Sequence, residues 1–293
     1  MVAGRSKQDP QAWPRLVRWA KVAYGYFEEL GVPVMKPEDK KNFEDFMKIA
    51  LPLLKRFDEV TSKMFLPSLE DGQCAFVVDA KLSSKQWQNS LPTSATPIVA
   101  PEPALVIGVS DAAKLQKAMG EYRTMLNDWI KAAQETFPKT RVIEIPAPQT
   151  QKIKGGTMFY YPLPEAWGLD KQLLPNAALA DKVAVLALSQ EHSERLLTPT
   201  PLKVDGGPLA DLKRPLAGAT YVNCAGLVDL VAGWAGAAAP LAPAKDQEKV
   251  TEVLAQVRTV VEVLKVFRSY SSATYFEGDA LVTHSELVIT DLK

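Results

Sequence analysis

Apolar positions along this chain recur with two different periods, and the change from one to the other marks its elements. Leu16, Trp19, Ala20, Ala23, Phe27 and Leu30 follow each other at helical spacing. That run opens on Asp9-Pro10, an N-cap followed by a proline at the first helical position, and Gly31 closes it. A second helix is predicted from Pro37-Glu38-Asp39, with Phe43, Phe46, Met47, Ala50, Leu54 and Phe57 on one face. Pro52 lies inside it and predicts a kink or a break. The period then drops to two: Asp71-Gly72 is a turn signal, and Cys74-Ala75-Phe76-Val77-Val78 reads as a strand.

The middle of the chain repeats a strand–helix step. Leu105 to Ser110 and Val183 to Ser189 are apolar strands ending in Ser, and each Ser is predicted to cap the helix that follows. The first helix is long, with Leu115, Ala118, Met119, Tyr122, Leu126 and Trp129 on one stripe; the second ends by Leu197. Arg141 to Ile145 and Thr157 to Tyr161 read as strands around a loop containing Pro146, Pro148 and Gly155-Gly156. Leu91 to Pro103, Thr198 to Pro201 and Gly206 to Pro215 read as loops.

The last third echoes the first. Leu227-Val228 corresponds to Leu16-Val17 at a helix start, and Pro240 and Pro243 correspond to Pro33 and Pro37. A second helix carries Val250, Val253, Leu254, Val257, Val261 and Leu264, and Leu264-Lys265-Val266-Phe267 matches Leu54-Lys55-Arg56-Phe57. A turn at Glu277-Gly278-Asp279 then precedes a strand from Ala280 to Ile289. The offset is nearly constant: Leu16 to Leu227 is 211 residues and Gly72 to Gly278 is 206. The expected architecture is α+β, mainly antiparallel sheet covered on one side by helices, with a degenerate internal duplication. It forms one composite unit over 1–293, with pseudo-repeat segments 10–82 and 221–291 around a central β-α segment 83–220.

Composition narrows the function classes. Apolar residues make up 47% and charged residues 23% of 293, the range of an ordinary globular chain. Lys+Arg and Asp+Glu both number 34, so no basic excess points to nucleic acid. Cys74 and Cys224 form either one bridge or two buried free thiols, and with His192 and His284 they have no zinc-site spacing. No metal and no cofactor is expected. The start, Met1 to Pro10, lacks the apolar core of a signal peptide, and no run is long and apolar enough for a membrane span. Leu227 to Pro243, the richest stretch, reads as a small-residue helix followed by a loop.

Candidate chemistry is sparse. Lys154-Gly155-Gly156-Thr157 and Asp205-Gly206-Gly207-Pro208 lack the spacing of phosphate-binding loops, and Gly155-Gly156 reads as a tight turn. Gly108-Val109-Ser110-Asp111-Ala112 departs from the nucleophile-elbow pattern at its last position. His192, between Glu191 and Glu194, reads as part of a solvated helix face. His284 shares a strand face with Val282 and Glu286, so a His–Glu pair can exchange a proton there; the plainer reading is an ordinary strand histidine. Asp79 and Glu286 sit in apolar strands, where a carboxylate is costly unless the face is solvated. The catalytic candidates are therefore His284, Glu286 and Asp79. Phe159 and Tyr161 share one strand face, and with Trp167 they are the candidate binding strip, against the plainer reading of core and strand edge.

Leu66 to Gln73, Val77-Val78-Asp79-Ala80-Lys81, Gly108 to Ala112 and Tyr160-Tyr161-Pro162-Leu163-Pro164 together resemble a family of exported bacterial proteins of the planctomycete type, of unknown function. The resemblance spans roughly residues 60 to 293. It implies an extracytoplasmic location and an envelope-associated role, and it carries no catalytic residues. The expected function is a non-catalytic envelope or periplasmic protein that binds a small apolar ligand or a protein partner. A hydrolase assembled around His284 is one alternative, and a structural interaction module is another.

Overall fold

The structure, a computed structural model, describes residues 1–5, 9–136, 144–198, 206–210, 214–238 and 247–291. It forms two compact units: one of residues 1–6, 73–107 and 148–293, the other of residues 7–72 and 108–147. The fold is α+β, as the pattern predicts.

The first unit is built on a ten-stranded sheet. Its strands are β1 (Val2–Arg5), β2 (Gln73–Ser84), β3 (Ile98–Gly108), β4 (Gln149–Ile153), β5 (Gly156–Tyr160), β6 (Asn176–Leu179), β7 (Val183–Ala187), β8 (Gly218–Asn223), β9 (Phe267–Glu277) and β10 (Ala280–Ile289). They lie in the order β10-β9-β8-β1-β2-β3-β7-β6-β5-β4, and each pairing whose register is defined is antiparallel. The two-residue turns predicted at Gly155 and Gly278 form, with φ of 90° and 60°, values that cost glycine no Cβ clash. Ala104, Ala178, Val185, Ala187 and Leu197 make its main buried cluster, small residues that let the backbones approach.

The second unit is helical: α1 (Ala12–Tyr26), α2 (Pro37–Val60), the single turn α3 (Leu66–Ser68) and α4 (Ala112–Thr136). Val60, Ala118 and Met125 form its core with Met64, Phe65 and Tyr122 against them. Arg56 donates to Glu121 at 2.6 Å and to Asp128 at 3.0 Å, tying α2 to α4. The first unit's helices are α5 (Gln190–Leu197), α6 (Cys224–Ala238) and α7 (Gln247–Leu264). On α7, Val250, Leu254, Val257 and Val261 turn inward, while Val253 and Leu264 are exposed.

Several local expectations are corrected. Helix α1 begins at Ala12, and Asp9 instead accepts the Gln11 N–H at 2.8 Å. It turns Trp13 and Val17 inward, with the Trp13 indole donating to Asp58 at 2.7 Å, and leaves Leu16 and Trp19 exposed, as is Leu30 beyond its end. Being apolar on more than one side, the helix had no single stripe that periodicity could select. Helix α2 continues through Pro52, which lies on an exposed face where water can satisfy the carbonyl it releases. On α4 the buried stripe is Leu115, Ala118 and Met125, while Met119 and Leu126 face solvent.

Ser189 caps α5 through the His192 N–H, as predicted, but α4 is capped by Asp111, which accepts from Lys114 N–H at 2.9 Å. Ser110 accepts from Asp71 N–H instead. Residues 98–103 belong to β3 rather than to a loop. Of the strand expected at 141–145, residues 141–143 lie outside the described residues, and Ile145 is clasped at both N–H and C=O by the buried Asn127 amide. Both cysteines are free, and Cys74 is exposed rather than buried. Strands β1, β4, β6, β8 and β9 had not been predicted. No helix among the described residues is long and apolar enough to cross a membrane.

Candidate functional site

Two clusters of ionisable groups lie on the sheet of the first unit. The first begins with an irregularity: the β2–β3 register shifts between Asp79 and Leu82. A bulge leaves backbone N–H groups without ladder partners. Here the Lys81 and Leu82 N–H groups are accepted by the Glu102 carboxylate, at 3.3 and 3.0 Å. Glu102 is fully buried between Pro101 and Pro103, residues that have no N–H to give the ladder. Its other oxygen accepts from the Ser189 hydroxyl at 2.7 Å, and Arg195 donates at 2.7 Å to the oxygen that holds the two amides. Arg195 also reaches Asp79 at 3.2 Å, so one guanidinium separates two carboxylates that stand directly opposite each other across the strands.

Beneath this network lies His192, fully buried rather than on a solvated helix face. Among the described residues neither of its ring nitrogens has a hydrogen-bond partner. Burial holds its imidazole below the ordinary histidine pKa, against the opposing pull of Glu102. The neighbouring Ser193 hydroxyl donates to Asn176 at 2.6 Å. Each oxygen of Glu102 is answered from within the chain, which ties β2, β3 and α5 together.

The second cluster is on β10. His284 and Glu286 share a face and are both exposed. The Tyr275 hydroxyl lies 3.4 Å from His284 Nε2, and Arg214 stacks over the Tyr275 ring at 5.0 Å. A Cβ at Gly207 would collide with the Glu286 carboxylate, so this glycine, at φ 74°, admits the close approach. Gly207, Pro208, Thr283, His284, Ser285 and Glu286 line a shallow depression of about 590 Å³. Asp79, the third catalytic candidate, belongs to the other cluster.

The aromatic strip places differently. Phe159 is half-buried in β5, while Tyr161 and Trp167 are exposed beyond its end. They do not line the depression on β10. Glu102 and Arg195 were missed from sequence, and Ser189 was read only as a helix cap; the available signal was a glutamate held between two prolines in an apolar stretch. No group of metal-ligating side chains occurs among the described residues. Neither a family model, nor a curated protein, nor a solved structure matches the chain.

Proposed function

We propose that this chain is a non-catalytic binding protein that docks a partner polypeptide on the sheet of its first unit, in the envelope or periplasm as the resemblance implies. The observation that carries the reading is the outer edge of β10. It is ten residues long, with Leu281 59% exposed, Ile289 58% exposed and Phe276 of β9 69% exposed beside it. Folded proteins blunt such edges with lysine, proline or short strands, because an open row of N–H and C=O groups recruits another strand. β10 has no lysine and no proline. The exposed apolar side of α1 in the second unit adds a further adhesive surface.

The depression beside His284 and Glu286 favours a second reading, a hydrolase with His284 as base. One experiment separates the two. The full chain is assayed against ester, peptide, glycoside and phosphoester substrates, and against a pool of extended peptides alternating apolar and polar residues. Saturable peptide retention that Thr283→Pro weakens about ten-fold supports docking at the edge. Turnover abolished by His284→Ala overturns it.

We further propose that the two ends of the chain are copies of one unit. Strand, two long helices, strand, strand occurs as β1-α1-α2-β2-β3 and as β8-α6-α7-β9-β10. Six neighbouring strands run β10-β9-β8-β1-β2-β3, a mirrored order. Superposing β8–β10 on β1–β3 tests this; a fit no better than that of unrelated three-stranded meanders overturns it.

A further inference from the structure

The chemistry of β10 reads the same from both ends. The loop Gly278-Asp279 closes β9 onto β10 with Glu277 opposite Ala280. In a two-residue hairpin that closing pair is hydrogen-bonded, and every second residue beyond it turns its backbone groups the same way. Val282, His284, Glu286 and Val288 therefore direct N–H and C=O to β9. Leu281, Thr283, Ser285, Leu287 and Ile289 direct theirs outward, toward the open edge.

Two copies placed edge to edge by a two-fold axis normal to the sheet are limited in register. Opposed residues must share a face, so the numbers of each pair sum to a constant even value. Centred on Ser285, Leu281 meets the partner's Ile289, Thr283 meets the partner's Leu287 and Val282 meets the partner's Val288. His284 meets the partner's Glu286, twice by symmetry, in a non-hydrogen-bonded pair where Cα atoms approach to about 4.5 Å. The neighbouring registers set His284 against the partner's His284, or Glu286 against the partner's Glu286. Both lose the His–Glu contact, and the second sets two carboxylates directly opposite each other. Thr283, His284, Ser285 and Glu286, at the centre of this register, line the depression together with Gly207 and Pro208, which border the position of the partner strand.

Resting on the docking reading above, we propose that the partner of β10 is β10 of a second copy of this chain, paired antiparallel about Ser285. The two sheets then become continuous. The His284–Glu286 pair selects the register, and the apolar pairs at both ends of the strand cover its exposed leucine and isoleucine.

Sedimentation of the full chain across a concentration series tests the proposal. The expected result is a species of twice the 32.1 kDa chain mass. Thr283→Pro removes one outward N–H and leaves the bonds to β9, and should weaken the dimer about ten-fold or more. His284→Glu and Glu286→Lys should each weaken it, and the double exchange should restore it, because a carboxylate and an amine then stand directly opposite each other. With Cys74 and Cys224 replaced by Ser, a cysteine at 285 should cross-link two chains, while one at 284 or at 286 should not. A monomer at all concentrations overturns self-pairing, as does a dimer indifferent to Thr283→Pro or not rescued by the double exchange. If monomers still retain extended peptides in a Thr283-dependent way, only the identity of the partner has failed and the docking reading stands.

Discussion

β3 and β10 hold the same place in the chain, each the last strand of a strand–helix–helix–strand–strand run, and their outer edges have opposite fates. The outer edge of β3 is taken by β7. The helix that follows β7 then brings Ser189 and Arg195 onto Glu102, so that the buried carboxylate is answered on both oxygens. β10 carries Glu286 and a histidine as well, but among the described residues no strand covers its edge, and the glutamate is exposed. Residue type alone does not separate a structural charge from an available one. What separates them is whether the chain itself supplies the donors. β4, the sheet's other edge, is the control: five residues, Gln-Thr-Gln-Lys-Ile, short and polar as protected edges are.

The sharpest break of this comparison is at Glu102. Glu102→Ala leaves the Arg195 guanidinium with only Asp79 and orphans the Lys81 and Leu82 N–H groups. The expected loss is about 3 to 5 kcal/mol, read from the midpoint of urea unfolding. Glu102→Gln keeps the shape and the acceptor while losing the charge, and should cost about 1 to 3 kcal/mol. A loss below about 1 kcal/mol for the alanine variant would make the β3 cluster as dispensable as an exposed pair. Gly156→Ala is next: its Cβ would meet the Leu179 carbonyl oxygen, a backbone atom that cannot swing away. About 1 to 3 kcal/mol should be lost, as overpacking typically costs.

The turn at Gly278 and strand β10 were legible because their signals are local. A glycine at the turn and the β-branched residues between Ala280 and Ile289 specify the strand. The lock at Glu102 was not legible for the same reason in reverse. Pro101 and Pro103 signal a loop in isolation, but in β3 Pro101 lies opposite the register shift of β2 and Pro103 pairs with Val78. His192 reads as solvated from Glu191 and Glu194, yet the face of α5 that carries it is buried against the sheet. Asp79 was singled out as a carboxylate in an apolar strand, but its partner Arg195 lies 116 positions on (195 − 79). The stripe on α1 failed because more than one side of that helix is apolar.

His192 offers a smaller effect with a defined sign. Its native pKa is held below the ordinary histidine value, so the unfolded chain binds the proton first as pH falls. The stability this histidine contributes is fully present above its unfolded pKa of about 6.5 and is lost as pH falls toward the native value. Urea midpoints measured from pH 8 downward should decline through that window, and His192→Leu should flatten the decline. Because neither ring nitrogen has a partner among the described residues, the leucine should cost little folding stability at pH 8. An unchanged slope in His192→Leu would move the pH dependence to the carboxylates around it.

The smallest effect on folding is expected at β10, and its smallness is informative. His284→Ala and Glu286→Gln alter exposed side chains, so each should change unfolding free energy by no more than about 0.5 kcal/mol when measured at high dilution. At high concentration the same substitutions should lower the unfolding midpoint further, because a dimer binds the folded state and makes apparent stability depend on concentration. Matching substitutions on β4, Lys152→Ala for example, should show no such dependence. A concentration-independent loss of several kcal/mol in His284→Ala would mean that β10 is locked from within, as β3 is, and the distinction between the two strands would collapse.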